Sequence, residues 1–458
     1  MKTVALFMVS TVLSGCAIYH AQPIAPAALI QSFEARSLDN PELQQYVSSH
    51  SNGKVNSNVS NIWDLKTLTL AAFYFSPDLD VARAKSGTSQ AAVQTAGQRP
   101  NPSLQFPLGY TSNAKNGESP YTFGLGLDIP IETAGKRGYR ITQAQQLSNA
   151  ARYNVGNVAW QVRSRLRNQM LTLYAANHRA SILKQQITAQ QQVVEMLNKR
   201  LAVGAASAPE VNQGRMTLIQ NRLDLDNAQQ QAQDARAKMA SVIGLPVSVL
   251  SGTCIRFDAF KQAYPEMPSE DIRHHAILNR ADVLGALSEY EASQAALQLE
   301  IAGQYPDIHL GLGYTFDAGA NKFTFPVSGI PLPLFNHNQG PIAEATARRT
   351  EVAARVNALQ IQALNDADRA LQNYRIAVKH LRLAESLFSV QQQQLTYLQS
   401  SFRAGETDRL TLTLAQHEFY ANDLARQDAR VQVQKNIGQL EDAMQRPLSE
   451  TNLQAISE

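Results

Sequence analysis

The chain is short of the groups that fasten or charge most proteins. It has only two cysteines in 458 residues, Cys16 and Cys254, and Cys16 falls in a leader described below. No intramolecular disulfide framework is therefore expected, and Cys254 reads as a small buried hydrophobe. The net charge is only +3, from 41 basic and 38 acidic residues dispersed along the chain, which excludes a nucleic-acid surface built on a basic patch. Beyond residue 16 no apolar run reaches the ~18 to 20 residues of a membrane-spanning helix. Paired carboxylates, a nucleophile elbow and a phosphate loop are also missing, so no catalytic residue is assigned and no enzyme activity is expected. The nine histidines are scattered. His274 and His275 are adjacent in a helical pattern, about 100° apart, and cannot easily share one metal. No metal site and no cofactor are expected, and His337 in "FNHNQG" reads as a loop residue.

Glycine and proline are missing in a telling way. From Ile342 to Ala404 there is neither, and from Tyr139 to Val203 the only breaker is Gly156. At 1.5 Å per residue each stretch makes a rod of ~95 to 100 Å. Aromatics and prolines crowd instead into residues 100–132 and 305–335.

What is present is a duplication. "SLQFPLGYT" at 103–111 is answered by "DIHLGLGYT" at 307–315, and Asp78 and Ala82 by Asp282 and Ala286, at an offset of 204. Downstream the offset settles at 201, where Gly204 falls on Gly405 and Pro246 on Pro447. Two tandem copies of one unit set the architecture.

Each copy carries two alternating stretches of the length a barrel strand needs. Leu104, Phe106, Leu108 and Tyr110 precede the polar "TSNAKNGESP", and Tyr121, Phe123, Leu125, Leu127 and Ile129 follow it. In the second copy Ile308, Leu310, Leu312, Tyr314 and Phe316 precede "DAGANK", with Phe323, Phe325 and Val327 after it. A soluble hairpin packed on a helix is the alternative. The rods carry a seven-residue apolar stripe at Ala367, Tyr374, Leu381, Phe388, Leu395 and Phe402, matched 201 residues earlier by Leu166, Leu173, Ala180, Ile187, Val194 and Leu201. Such a stripe imposes left-handed supercoiling. The polar remainder, including the glutamines at 391–394, is expected to face water. Both rods end at a glycine, with Ser207 or Asp408 placed to cap a return helix, about 208–243 and 409–445. The helical patterns at 66–98 and 270–303 have the length to complete the cover of each rod. Four strands cannot close a barrel with a lumen, whereas three chains supply twelve.

The N-terminus reads as an address. Lys2, an apolar run from Val4 to Leu13 and "LSGC" ending at Cys16 have the order of a secretory signal, and the wording resembles a bacterial lipobox in which Cys16 is diacylated. Ala17 follows in place of the aspartate that retains lipoproteins at the inner membrane, so delivery to outer-membrane lipid is implied.

Over residues 63–447 the chain resembles an outer-membrane efflux factor of the TolC superfamily. The resemblance rests on "DIPIETAGKRGYRI" (128–141), "AGQRPNPSL" (96–104), "AWQVRSRLR" (159–167), "PLPLFNHNQGPIAEA" (331–345) and the two glycine turns. "PIETAGKR" is closest to the branch that accompanies heavy-metal exporters of the cobalt-zinc-cadmium type. The resemblance implies a mixed α/β membrane protein, a homotrimer whose twelve-stranded barrel stands on a periplasmic helical tunnel. It further implies docking, through a periplasmic adaptor (membrane fusion protein), onto an inner-membrane pump driven by protons. The docking tips are then Gly204, Ala205 and Ser207, with Gly405, Thr407, Asp408 and Arg409. Pro130, Glu132, Gly135, Lys136 and Arg137 form a structural strand-to-helix corner. Where the prototype carries entrance carboxylates this chain has Thr411 and Leu414, so an acidic ring is not expected. Heavy-metal cations are the favoured cargo. Drugs or peptides, or a lipoprotein tether without a pore, are the alternatives.

The resulting division is a signal peptide at 1–15 and a lipidated extended segment at 16–62. The first repeat follows at 63–246, with strands about 103–131 and a helical hairpin about 138–244. A linker at 247–268 leads to the second repeat at 269–447, with strands about 307–334 and a hairpin about 341–445, and a tail at 448–458.

Overall fold

The computed structural model describes residues 17–50, 62–115, 117–261, 269–325, 327–328 and 331–448. Cys16, assigned as the lipidation site, lies outside them. In chain order the elements begin with helices α1 (Pro26–Glu34) and α2 (Pro41–His50), strand β1 (Ile62–Trp63), and helices α3 (Leu65–Phe75) and α4 (Pro77–Ala96). Strands β2 (Ser103–Gln105), β3 (Leu108–Tyr110) and β4 (Tyr121–Ile131) lead into the 67-residue helix α5 (Lys136–Ala202) and its return α6 (Ala208–Ile243). A short α7 (Val247–Ser251) and β5 (Cys254–Ile255) connect to α8 (Ser269–Leu278) and α9 (Ala281–Ala302). The second sheet half is β6 (Ile308–Asp317), β7 (Ala320–Thr324) and β8 (Val327–Ser328), followed by the 65-residue α10 (Gln339–Arg403) and α11 (Arg409–Met444).

The N-terminal segment corrects the expectation of an extended chain. Proline at the first position of α1 and α2 suits a helix start, and the Asn40 side chain accepts from the backbone N–H groups of Glu42 and Leu43 at 2.8 and 3.4 Å. α2 buries Leu43 and Val47 in a core shared with α3. Arg36 fastens the segment by donating to the carbonyls of Phe75 (3.2 Å) and Gly244 (2.8 Å). Cys254 is also corrected, because it is exposed and free. It pairs with Ile62 in a two-stranded parallel ribbon whose alternation turns the neighbouring Trp63 inward and leaves Ile62 and Cys254 outside.

Each repeat has its own core midway along the rods. In the first, Leu166, Met170 and Leu173 of α5 meet Leu68 of α3 and Met239 and Ile243 of α6. In the second, Ala367, Leu371, Tyr374 and Leu381 of α10 meet Ile272 of α8 and Val433 and Leu440 of α11. Leu166, Leu173, Ala367, Tyr374 and Leu381 are heptad positions, and burying a large apolar side chain contributes ~1.5 to 3 kcal/mol. The stripe opens toward the tips: Phe388 and Leu395 are half-buried, and Leu201 and Phe402 are exposed. The glutamine run divides, for Gln391 is buried while 392–394 are exposed. Gln391 lies in line with the buried alanines 363, 370 and 377, whose small side chains draw that row against the neighbouring helix.

The sheet has four lines in a simple meander. β2 and β3 both pair with β4, β4 pairs with β6, and β6 pairs with β7 and β8, all antiparallel. The first line is broken at Phe106–Pro107, where proline has no N–H to give. The carbonyl of Pro107 instead accepts from Gly124, whose missing side chain leaves room for the proline ring. In the fourth line Ser328 is the last described strand residue, and residues 331–334 are not strand, which shortens the expected range of 307–334. Leu332 and Leu334 lie beside Pro331 and Pro333, so the ladder lacks donors there.

Candidate functional site

The register places one kind of residue on each sheet face. Phe123 lies opposite Phe316, Leu125 opposite Tyr314, Leu127 opposite Leu312 and Ile129 opposite Leu310. The alternate face has Gly126 opposite Gly313 and Asp128 opposite Gly311, and His309 meets Asp128 at 2.9 Å. An exposed band of large apolar side chains therefore backs a face of glycine and polar groups, the pattern of a barrel wall with lipid outside and water inside. At ~3.3 Å per residue the 11 residues of β4 cross a bilayer core when tilted. β2/β3 and β7/β8 are edges within the chain, and a sheet in lipid must close them. Among the described residues no helix is long and apolar enough to cross a membrane.

Below the sheet the predicted corner residues gather. Pro130 is the penultimate residue of β4, opposite His309, and Gly135 opens α5 in the left-handed region at φ 73°. Lys136 donates to Asp307 (2.8 Å) and to the Tyr305 carbonyl (2.7 Å), and Arg137 donates to the Gly97 carbonyl (2.7 Å). Glu132 pairs with Arg140, which holds its carboxyl below the usual range. Partial burial pushes Asp307 the other way, but Lys136 and the Thr133 N–H hold its carboxyl low. The lattice joins both repeats, since Glu132 to Arg140 come from the first and Tyr305 and Asp307 from the second. His337 is exposed in the turn before α10.

At the far end, ~100 Å along α5, the two tips share one backbone solution. Gly204 (φ 73°) donates to the Leu201 carbonyl and Ala205 to that of Arg200, at 3.0 and 2.8 Å; Gly405 (φ 82°) and Glu406 repeat this on Phe402 and Ser401, at 3.1 and 2.9 Å. These are Schellman turns, and only glycine takes the positive φ freely. A side chain at either glycine would meet nothing within 4 Å, so conformation, not crowding, sets the choice. The caps differ. Ser207 and Glu210 exchange hydrogen bonds in a capping box, at 3.4 and 2.8 Å. Asp408 accepts from the Thr411 N–H (2.7 Å) and from Arg200 of the other hairpin (2.6 Å), which lowers its pKa to about 2. Ala205 and Arg409 are exposed beside these caps and Thr407 is half-buried. Thr411 and Leu414 are exposed on the first turns of α11.

Three further clusters hold α5 against α11, and sequence reasoning missed them. Arg163 and Arg167 pair with Glu441 at 3.1 and 3.2 Å, and Trp160 and Ser164 donate to Asp442 at 3.0 and 2.7 Å. Burial pushes the Asp442 carboxyl up and Arg167 down. Arg179 meets Asp428 at 3.0 Å, and His417 lies between Gln186 of α5 and Asn221 of α6, at 3.1 and 3.3 Å. The available signal was the repeat itself. Arg200, Asp408, Glu441 and His417 all depart from their counterparts at the 201-residue offset, Ser401, Ser207, Ala240 and Met216. Among the described residues no group of three or more His, Cys, Asp or Glu could hold a metal ion.

Comparison with known proteins gives one family. The model of the family described as "Outer membrane efflux protein" matches residues 72–245 and 272–444, one segment per repeat. The chain is 25% identical over 399 residues to the pyoverdine export outer membrane protein OpmQ of Pseudomonas aeruginosa, covering 81% of each chain. It is 24% identical over 269 residues to the cobalt-zinc-cadmium resistance protein CzcC of Cupriavidus metallidurans, covering 58% of this chain and 62% of that one. Among solved structures, the outer membrane protein VceC of Vibrio cholerae superposes with a TM-score of 0.68 at 19% identity, over 84% of this chain and 97% of that one. The fold is TolC-like, and such proteins are transport conduits, not enzymes. The two-repeat sheet-and-rod architecture and the match over both repeats agree, and the chain belongs to the outer membrane efflux protein family of the TolC superfamily.

Proposed function

We propose that the chain is one third of an exit duct. Three copies close a twelve-stranded barrel in the outer membrane, and their rods form a tunnel that meets a periplasmic adaptor and, through it, an inner-membrane pump. The observation that carries this reading is the open four-line sheet with an apolar band on one face, mounted on helices ~100 Å long. Cys16 anchors the N-terminus in outer-membrane lipid. The tips at Gly204–Ser207 and Gly405–Arg409 receive the adaptor, six per trimer.

Heavy-metal cations are the favoured cargo, supported by the likeness to a cobalt-zinc-cadmium resistance protein. No ligand cluster among the described residues selects them, so selection belongs to the pump. A second reading, export of an organic product, has the pyoverdine-export relative behind it, which aligns over more of the chain. Deleting the gene and scoring growth separates them. Sensitivity to cobalt, zinc and cadmium, rescued by the plasmid-borne gene, is expected. Unchanged metal tolerance with loss of an organic export product would replace the cargo and leave the duct.

A further inference from the structure

Between α5 and α6, on the tip side of the first core, lies a cavity of about 380 Å³, within the range that holds small ligands. Ala180 and Ala232 line it with small apolar groups, and Ser181, Lys184, Gln229 and Arg236 bring polar ones. Its charge is all of one sign. α5 has a single carboxylate, Glu195, ~16 Å along the helix from Lys184. Among the described residues neither Lys184 nor Arg236 has an ion-pair partner, and Asp234, the carboxylate next to Arg236 in sequence, is held by Lys238 at 2.7 Å. The Nε of Arg236 is shut off from solvent with no acceptor. A guanidinium stripped of water on one edge pulls harder on an oxyanion that reaches its other N–H groups.

The second repeat closes the same station with its own side chains. Adding 201 to Ala180, Ala232 and Arg236 gives Leu381, Val433 and Ile437, all buried in the second core. Adding it to Lys184 and Gln229 gives Glu385 and Arg430, which form an ion pair at 3.0 Å. Relative to that arrangement the first repeat has alanines for two larger apolar groups, a guanidinium for an isoleucine, and a lysine where the carboxylate stands. Room and positive charge are both present, and the carboxylate is what the first repeat lacks.

We propose that this cavity binds a small organic dicarboxylate. One carboxylate takes the guanidinium of Arg236, whose N–H fork matches two oxygens, and the other takes the ammonium of Lys184. The carbon chain between them lies over Ala180 and Ala232, while Ser181 and Gln229 supply hydrogen-bond donors at the rim. Two cations ask for two anionic groups, and the alanines favour a ligand with a hydrocarbon middle over a bare inorganic anion. The site lies ~33 Å along α5 from the tip and does not depend on the duct reading.

The test is ligand-observed NMR saturation transfer from the detergent-solubilised full chain, with succinate as the probe. Transfer to succinate is expected, and none to neutral succinamide. Arg236→Gln should raise the succinate Kd about tenfold or more, the loss of one charge-assisted contact, and Lys184→Gln should raise it several-fold. Lys184→Glu with Gln229→Arg installs the ion pair of the second repeat, so it should keep helix content and native mass while abolishing transfer. No transfer to the wild-type chain, or undiminished transfer to the paired variant, overturns the site. Displacement of half the succinate by equimolar inorganic phosphate would show a site for charge alone and overturn the dicarboxylate assignment. A native mass lowered by Arg236→Gln, with no succinate transfer to the wild type, would give the cavity to a protein carboxylate instead.

Discussion

The two helical hairpins follow the same path and end on the same glycine turn, yet the side chains that look sideways from them are chemically opposed. At the first tip Ser207 is closed locally by Glu210, and at the second Asp408 reaches Arg200 across the gap. Midway, Arg163 and Arg167 meet Glu441 where the offset places Leu364, Asp368 and Ala240. Duplication kept what the backbone needs, the glycines, caps and inner heptads. It released the lateral faces, which met different neighbours: a helix of the same chain on one side and, on the other, a face left open.

The largest effect should come from filling the shared turns. Gly204→Trp or Gly405→Trp should abolish adaptor crosslinking and export while trimer yield and membrane insertion stay near normal. Both glycines have open space around them, so the ring enters solvent where a partner would approach. Full export with either tryptophan removes the turns from the docking surface, and equal loss of trimer and export assigns them to capping alone. Next is the ionic seam. Glu441→Ala takes the carboxylate from buried Arg167 and half-buried Arg163 and should cost about 3 to 5 kcal/mol, read as a lowered midpoint in denaturant. Ala240→Ser, at the matching position in the first repeat, puts a hydroxyl but no charge into a fully buried site and should cost less, about 1 to 3 kcal/mol.

The tip caps are smaller. Asp408→Ala should cost about 1 kcal/mol by losing the cap, and Ser207→Ala a similar amount, both read as faster amide exchange in the first turn of α11 or α6. Only the Asp408 variant should also loosen one hairpin from the other, because only Asp408 bonds across the gap. Acid gives the smallest effect. The Asp408 pKa is lowered from 3.8 to about 2, so its contribution is present above pH ~3.8 and is lost as pH falls through ~2. Exchange at α11's first turn should therefore be flat from pH 5 to 8 after correction for intrinsic rates. A change in that window would mean that another group controls the tip.

Much of this was legible because period and punctuation are local. Alternation at 121–131 and 308–317 set the inner strands, glycine and proline absence set the rods, and Gly204, Ser207, Gly405 and Asp408 set the turns. The outer strands were less legible, since Pro107 and the prolines at 331 and 333 interrupt ladders that side-chain alternation alone would continue. Cys254 was misplaced because a two-residue ribbon gives no period to read. The lateral ion pairs join residues up to 278 apart, and no local pattern reports them. Subtracting one repeat from the other does, since Arg200, His417 and Glu441 stand out as departures.

If one chain is a third of a tube, the native mass of the detergent-solubilised protein must show it. One species of three chains, elongated along rods of ~100 Å, is expected. A monodisperse single chain with its four strand lines folded would contradict it.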